Sequence, residues 1–114
     1  MSGSVFDILV VGGGPAGLAA AASAARTGAR VALLDDNPAP GGQIWRGATS
    51  GPAGHWIREV RRYGVTILAQ TRVIAPLAPG ALLAETAGEA LELSFQNLVL
   101  ATGARERFLP FPGP

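Results

Sequence analysis

The sequence predicts an α/β fold built on a parallel sheet, and three observations carry that expectation. An apolar stretch, Ser4 to Val11, runs into the glycine turn Gly12-Gly13-Gly14-Pro15-Ala16-Gly17 and then into an alanine-rich segment. A second apolar stretch, Ala29 to Leu34, ends in Asp35-Asp36. Beyond residue 70, short stretches are separated by Ala78-Pro79-Gly80 and Ala87-Gly88-Glu89. The first two observations describe strand, tight turn, helix and strand, the βαβ dinucleotide-binding unit of a Rossmann-like sheet. The third describes an antiparallel β-meander standing where a helical crossover would otherwise be.

Each part of the βαβ unit has its own physical reason. Gly12, Gly14 and Gly17 follow the G-x-G-x-x-G spacing. Gly12 lets the chain turn sharply, Gly14 lets backbone approach a pyrophosphate, and Gly17 lets the helix lie close to the strand. Pro15 falls in the first helical turn, where its missing N–H removes a donor the helix would leave unpaired. Ala16 to Thr27 is almost all alanine, a strong helix former that permits close packing on a sheet. The free N–H groups and positive dipole end of that helix suit phosphates. Gly28 stops the helix, and the next strand delivers Asp35 and Asp36 about 20 residues after the turn, where a carboxylate accepts hydrogen bonds from ribose hydroxyls. Asp35, which directly ends the strand, is the stronger candidate. A glycine turn alone is an ordinary βα loop and a terminal acid an ordinary solvated residue; the order strand, turn, helix, strand, acid favours the nucleotide site.

Composition narrows the remaining classes. At 114 residues the chain is at most one domain. A formal net charge of +1 gives no reason to expect nucleic acid or an anionic membrane as partner. With no cysteine, disulfides, thiolate metal sites and dithiol redox chemistry are excluded within this chain. No basic region precedes the first apolar stretch, which is too short for a signal peptide or a membrane span, so a cytoplasmic location is expected.

Residues 37–52 hold too many glycines and prolines for regular structure. This loop leaves the carboxyl edge of the sheet, where ligands of open α/β folds bind. Two readings stand side by side. In one, Gly41 and Gly42 bring N–H groups to a ligand, Gln43 hydrogen-bonds it and Trp45 covers it; in the other, Trp45 packs on the core and Arg46 is solvated.

Ala53 to Tyr63 places Trp56, Ile57 and Val60 at helical spacing, with Arg58, Glu59, Arg61 and Arg62 on the remaining surface, so a short amphipathic helix ending at Gly64 is expected. His55 is the one histidine, and nothing marks it as a base or ligand. Val65 to Ala69 reads as a third apolar strand. Thr71 to Ala78, Ala81 to Thr86 and Ala90 to Phe95 read as the meander, and Asn97 to Gly103 as a separate buried parallel strand.

The glycine turn, the Pro40-Gly41-Gly42-Gln43 loop, the meander and Ala101-Thr102-Gly103, in this order, resemble the N-terminal FAD-binding segment of the two-dinucleotide-binding-domain flavoproteins, the pyridine nucleotide-disulfide oxidoreductase superfamily. The resemblance covers nearly the whole chain. Gly41-Gly42-Gln43-Ile44-Trp45-Arg46-Gly47 and Thr102 to Gly113 are especially similar to FAD subunits of opine oxidases, hydrogen cyanide synthase and related amino-acid or amine dehydrogenases.

That resemblance implies that Gly12, Gly14, Pro15, Ala16, Gly17, Asp35 and Asp36 hold the adenosine half of FAD. It further implies that Gly42 and Gln43 lie along the pyrophosphate and flavin side, that Val73 offers backbone to the adenine edge, and that Ala101, Thr102 and Gly103 pass beneath the cofactor. The flavin would accept hydride from a C–N bond of an amino-acid-like amine or opine. The lack of cysteine departs from the disulfide reductases and argues against disulfide reduction. Residues 1–114 are expected to be the N-terminal part of an FAD domain, without the NAD-type domain and the returning FAD segment of the family. On that expectation the chain needs the remaining segments or subunits of a flavoenzyme, does not turn over alone, and self-associates through the sheet edge and apolar surface they would cover, with the proline-rich tail Phe108 to Pro114 as a candidate contact. A non-catalytic nucleotide-binding relic and part of an NAD(P)H-dependent flavin reductase are the alternatives.

Overall fold

The structure is a computed structural model that describes residues 3–36 and 51–101. Its elements are Gly3–Val11 (β1), Pro15–Ala25 (α1), Val31–Asp35 (β2), Gly51–Arg62 (α2), Thr66–Ala69 (β3), Thr71–Ala78 (β4), Ala81–Thr86 (β5) and Glu89–Leu100 (β6). The strands form one six-stranded sheet in the order β3-β2-β1-β6-β5-β4. The first four in that order are mutually parallel, whereas β5 pairs antiparallel with both β6 and β4.

The apolar pattern explains how the layers assemble. β2 is buried along its whole length, as expected of a parallel strand covered on both faces. On one face Val10, Val31 and Leu33 pack against α1, through Leu18, Ala21, Ala22 and Ala25, and against α2, through Ile57 and Val60. Small side chains along α1 bring its axis close to the sheet. Gly28 and Gly64, both at positive φ (93° and 73°), turn the chain after the two helices. On the other face Phe6, Leu9, Ala32 and Leu34 meet Leu82, Ala84 and Leu93 of the meander. The sheet therefore curls, bringing β4 into contact with β2 although three strands separate them in the sheet order. Burying a side chain such as Leu9 or Leu33 in these layers stabilises the fold by about 1.5–3 kcal/mol.

Two features differ from the expectation. The third meander strand and the following parallel strand are a single strand, β6. Its first half pairs with β5, from Glu89 to Ser94, and its length from Glu92 to Leu100 pairs with β1. Between the two halves stands only Gln96-Asn97, with no glycine or proline to end a strand. The polar pair instead marks a break in alternation: Phe95 and Leu98 face the same core layer three residues apart. β1 breaks at the same level, where Asp7 and Ile8 both donate their N–H to Arg30 O (2.8 and 3.1 Å) and Phe6 and Leu9 share a face. Asp7 Oδ2 accepts the Arg30 N–H at 2.7 Å, which ties this step to the start of β2. The second difference concerns burial: the end of β6 is not a buried strand, since Leu98 and Val99 are half-buried and Leu100 is exposed.

Edge strand β4 carries two register shifts, between Val73 and Ala75 and between Pro76 and Ala78. The residues passed over, Ile74 and Leu77, are the exposed large apolar side chains of that strand. Bulges and Pro76 together break the regular hydrogen-bonding edge a further strand would need.

Candidate dinucleotide-binding site

Three strand ends converge on the glycine turn. Gly12 N–H donates to Leu34 O at 2.9 Å, tying the turn to the end of β2, and Ala101 N–H donates to Val11 O at 2.8 Å, tying the end of β6 to β1. Gly12 adopts φ 123°, a conformation open to glycine and strained for other residues. A Cβ on Gly17 would collide with the Gly12 carbonyl oxygen, so the close helix-to-strand approach requires glycine at position 17. Around Gly14 the situation is reversed, because a Cβ there would meet nothing within 4 Å. Gly14 faces open space at the start of α1, as a residue passing under a phosphate must.

The first turn of α1 is set up for an anion. Gly14 is its N-cap, with no side-chain cap and no acidic residue in the first turn. Leu18 N–H is taken by Gly14 O (2.9 Å), and Pro15 has none to give. Ala16 and Gly17 supply the other N–H groups of the first turn, at the positive end of the helix dipole. The residues present thus fit a pyrophosphate: donors, no opposing carboxylate, and room over Gly14.

Asp35 is the last residue of β2, 8% exposed and in register with Ala69 of β3. Asp36, the next residue, is exposed and borders an open depression of about 280 Å³ shared with Gln70, Arg72, Glu85, Ala87 and Gly88. Gly12, Gly14, Pro15, Ala16, Gly17, Asp35, Asp36 and Ala101 therefore lie at one carboxyl edge of the sheet. Val73 lies on β4, half-buried in the second core layer and paired with Ala84. Gly42, Gln43, Thr102 and Gly103 are outside the described residues, as are the loop around Trp45 and the tail from Phe108 to Pro114.

Gln70, Arg72 and Glu85 are the lining residues that sequence reasoning missed. Gln70 is the single residue between β3 and β4 and adopts φ 52°, which reverses the chain onto the other face. A hairpin drawn evenly from the Pro79-Gly80 turn would set Arg72 opposite Ala87; the two shifts in β4 set it opposite Glu85 instead. There Arg72 donates to Glu85 Oε1 from Nε (3.2 Å) and Nη2 (3.1 Å). His55 is exposed, its ring edge-on to Trp56 at 4.8 Å. Among the described residues no group of His, Cys, Asp and Glu could hold a metal ion, and no helix is long and apolar enough to cross a membrane.

Residues 6–114 match the family described as pyridine nucleotide-disulphide oxidoreductase. The chain is 38% identical to an opine oxidase subunit of Agrobacterium tumefaciens strain Ach5, over 95% of this chain and 26% of the relative. It is 32% identical to the HcnB subunit of hydrogen cyanide synthase from Pseudomonas aeruginosa, over 92% of this chain and 26% of that one. Among solved structures, thioredoxin reductase from Streptococcus pyogenes aligns at TM-score 0.65 and 30% identity, over 98% of this chain and 40% of that one. The chain spans about a quarter of the length of the curated relatives it matches. With the family pattern matched across nearly all its residues, the chain belongs to the pyridine nucleotide-disulphide oxidoreductase family of flavin-dependent oxidoreductases.

Proposed function

We propose that this chain holds the adenosine diphosphate half of FAD within a dehydrogenase or oxidase of amino-acid-like amines or opines. The observation that carries the reading is the shared sheet edge: the uncapped first turn of α1, with open space over Gly14, beside the buried Asp35 at the end of β2. Ala16 and Gly17 N–H groups bind the pyrophosphate, and Asp35 accepts hydrogen bonds from ribose hydroxyls. Asp36 and the backbone of Val73 border the base. Gly42, Gln43, Thr102 and Gly103, with Ala101, extend the path toward the flavin. When bound, the flavin supplies a two-electron acceptor for a C–N bond.

The amine assignment draws on relatives. Opine oxidases recur among them, and 38 aligned residues are 66% identical to the alpha chain of sarcosine oxidase from Corynebacterium. Opines and sarcosine are amino acids substituted at nitrogen. Residues 1–114 act as the N-terminal part of an FAD domain, and turnover requires the further segments or subunits such relatives carry.

The test is titration of the purified chain with FAD, FMN and ADP, read by visible absorbance and calorimetry. FAD and ADP should bind with similar affinity, with FMN at least about tenfold weaker, because FMN lacks the adenosine this edge would hold. FMN binding as well as FAD, or no binding of ADP, would overturn the assignment.

A further inference from the structure

The depression next to Asp36 carries more information than the nucleotide reading uses. Resting on that reading, we propose that Arg72, held by Glu85, selects a purine base at this depression and is the specificity-determining residue for the nucleobase end of the ligand. With phosphates at α1 and ribose at Asp35, a nucleoside diphosphate extends past the end of β2. The ground there is the β3–β4 junction and the β5–β6 turn, which together form the depression of about 280 Å³. That volume lies just below the usual range for small-molecule sites, the scale of a base rather than of a whole cofactor.

The wall of the depression is suited to a flat ring. Arg72 donates twice to one oxygen of Glu85, fixing the plane of its guanidinium, yet its side chain remains 66% exposed. A fixed, exposed guanidinium plane stacks on an aromatic base, and a larger purine covers more of it than a pyrimidine. Gln70 and Ala87, at φ 52° and 51°, are the non-glycine residues with positive φ among those described, and both border the depression. Ala87 takes that φ as the first residue of the two-residue β5–β6 loop, and Gln70 as the one residue joining β3 to β4, so both rims are set by tight turns rather than by mobile chain.

Calorimetric titration with ADP and UDP tests the assignment, using the chain, Arg72→Ala, Arg72→Lys and Glu85→Gln. The unaltered chain should bind ADP about five to ten times more tightly than UDP. Arg72→Ala should lower ADP affinity about five- to tenfold while changing UDP affinity less than twofold, bringing the ratio near one. Arg72→Lys keeps the charge and loses the plane, so its ratio should also collapse; Glu85→Gln should fall between. Circular dichroism checks that each variant is folded, and Arg72→Lys stands in should Arg72→Ala fail to fold. An unchanged ratio in Arg72→Lys, or equal weakening of ADP and UDP in Arg72→Ala, would overturn the assignment while leaving the nucleotide reading intact. Loss of ADP binding by the unaltered chain would instead remove the nucleotide reading and this inference with it.

Discussion

The carbonyl oxygen of Gly12 occupies the space that a Cβ on Gly17 would need. Three residues away, Gly14 has no such neighbour. The two glycines are thus required for different reasons, and substitution separates them. Gly17→Ala forces α1 off the sheet and should destabilise the fold by about 1–3 kcal/mol, lowering Tm by about 5 °C or more. Gly14→Ala should leave Tm nearly unchanged and reduce ADP affinity at least about tenfold, because the added methyl fills the approach to the phosphates. Thermal unfolding and calorimetry on the same two proteins read both effects.

Asp35 offers a second separation. Asp35→Asn preserves shape and removes the charge that would accept from ribose, so affinity for FAD and ADP should fall about tenfold. Binding of FMN should not change, since FMN carries no adenosine ribose. A loss common to all three ligands would show that the substitution acts through the fold.

At the β5–β6 turn, Thr86 pairs with Glu89, and Ala87-Gly88 fills a two-residue loop with both residues at positive φ. Asparagine accepts that conformation better than alanine. Ala87→Asn should therefore stabilise the chain by about 0.5–1 kcal/mol, visible as a Tm increase of a few degrees.

Association should run through β6 rather than β4. β5 pairing ends at Ser94, so among the described residues Gln96 to Leu100 have a strand on the β1 side only, and Leu100 is 49% exposed. Unlike β4, this stretch has no proline along its open edge. Sedimentation velocity should show concentration-dependent association that Leu100→Lys weakens and Leu77→Lys does not.

Local chemistry made the βαβ unit legible in sequence. Glycine spacing, the first-turn proline, the alanine run and the strand-end acid all act within a few residues of one another, and the structure places Gly12, Gly14, Gly17 and Asp35 at one edge as that pattern requires. Arg72 and Glu85 were not legible, because their pairing depends on two bulges at Ile74 and Leu77 that no turn residue announces. The merger of two expected strands into β6 was missed for a related reason. Gln96-Asn97 looks like an interruption, yet Phe95 and Leu98 keep their place in the same layer because β1 breaks step beside them at Asp7.

The central strand β1 has one neighbour close in sequence and another very far from it: Val11 pairs with Leu34 on one side and with Leu100 on the other. During synthesis on the ribosome, the helix, the glycine turn and β2 emerge long before the residues that complete the other flank of β1. Contacts of such long separation slow folding. The nascent chain thus carries its glycine turn on a half-finished sheet, and one flank of β1 stays open until β6 has been made.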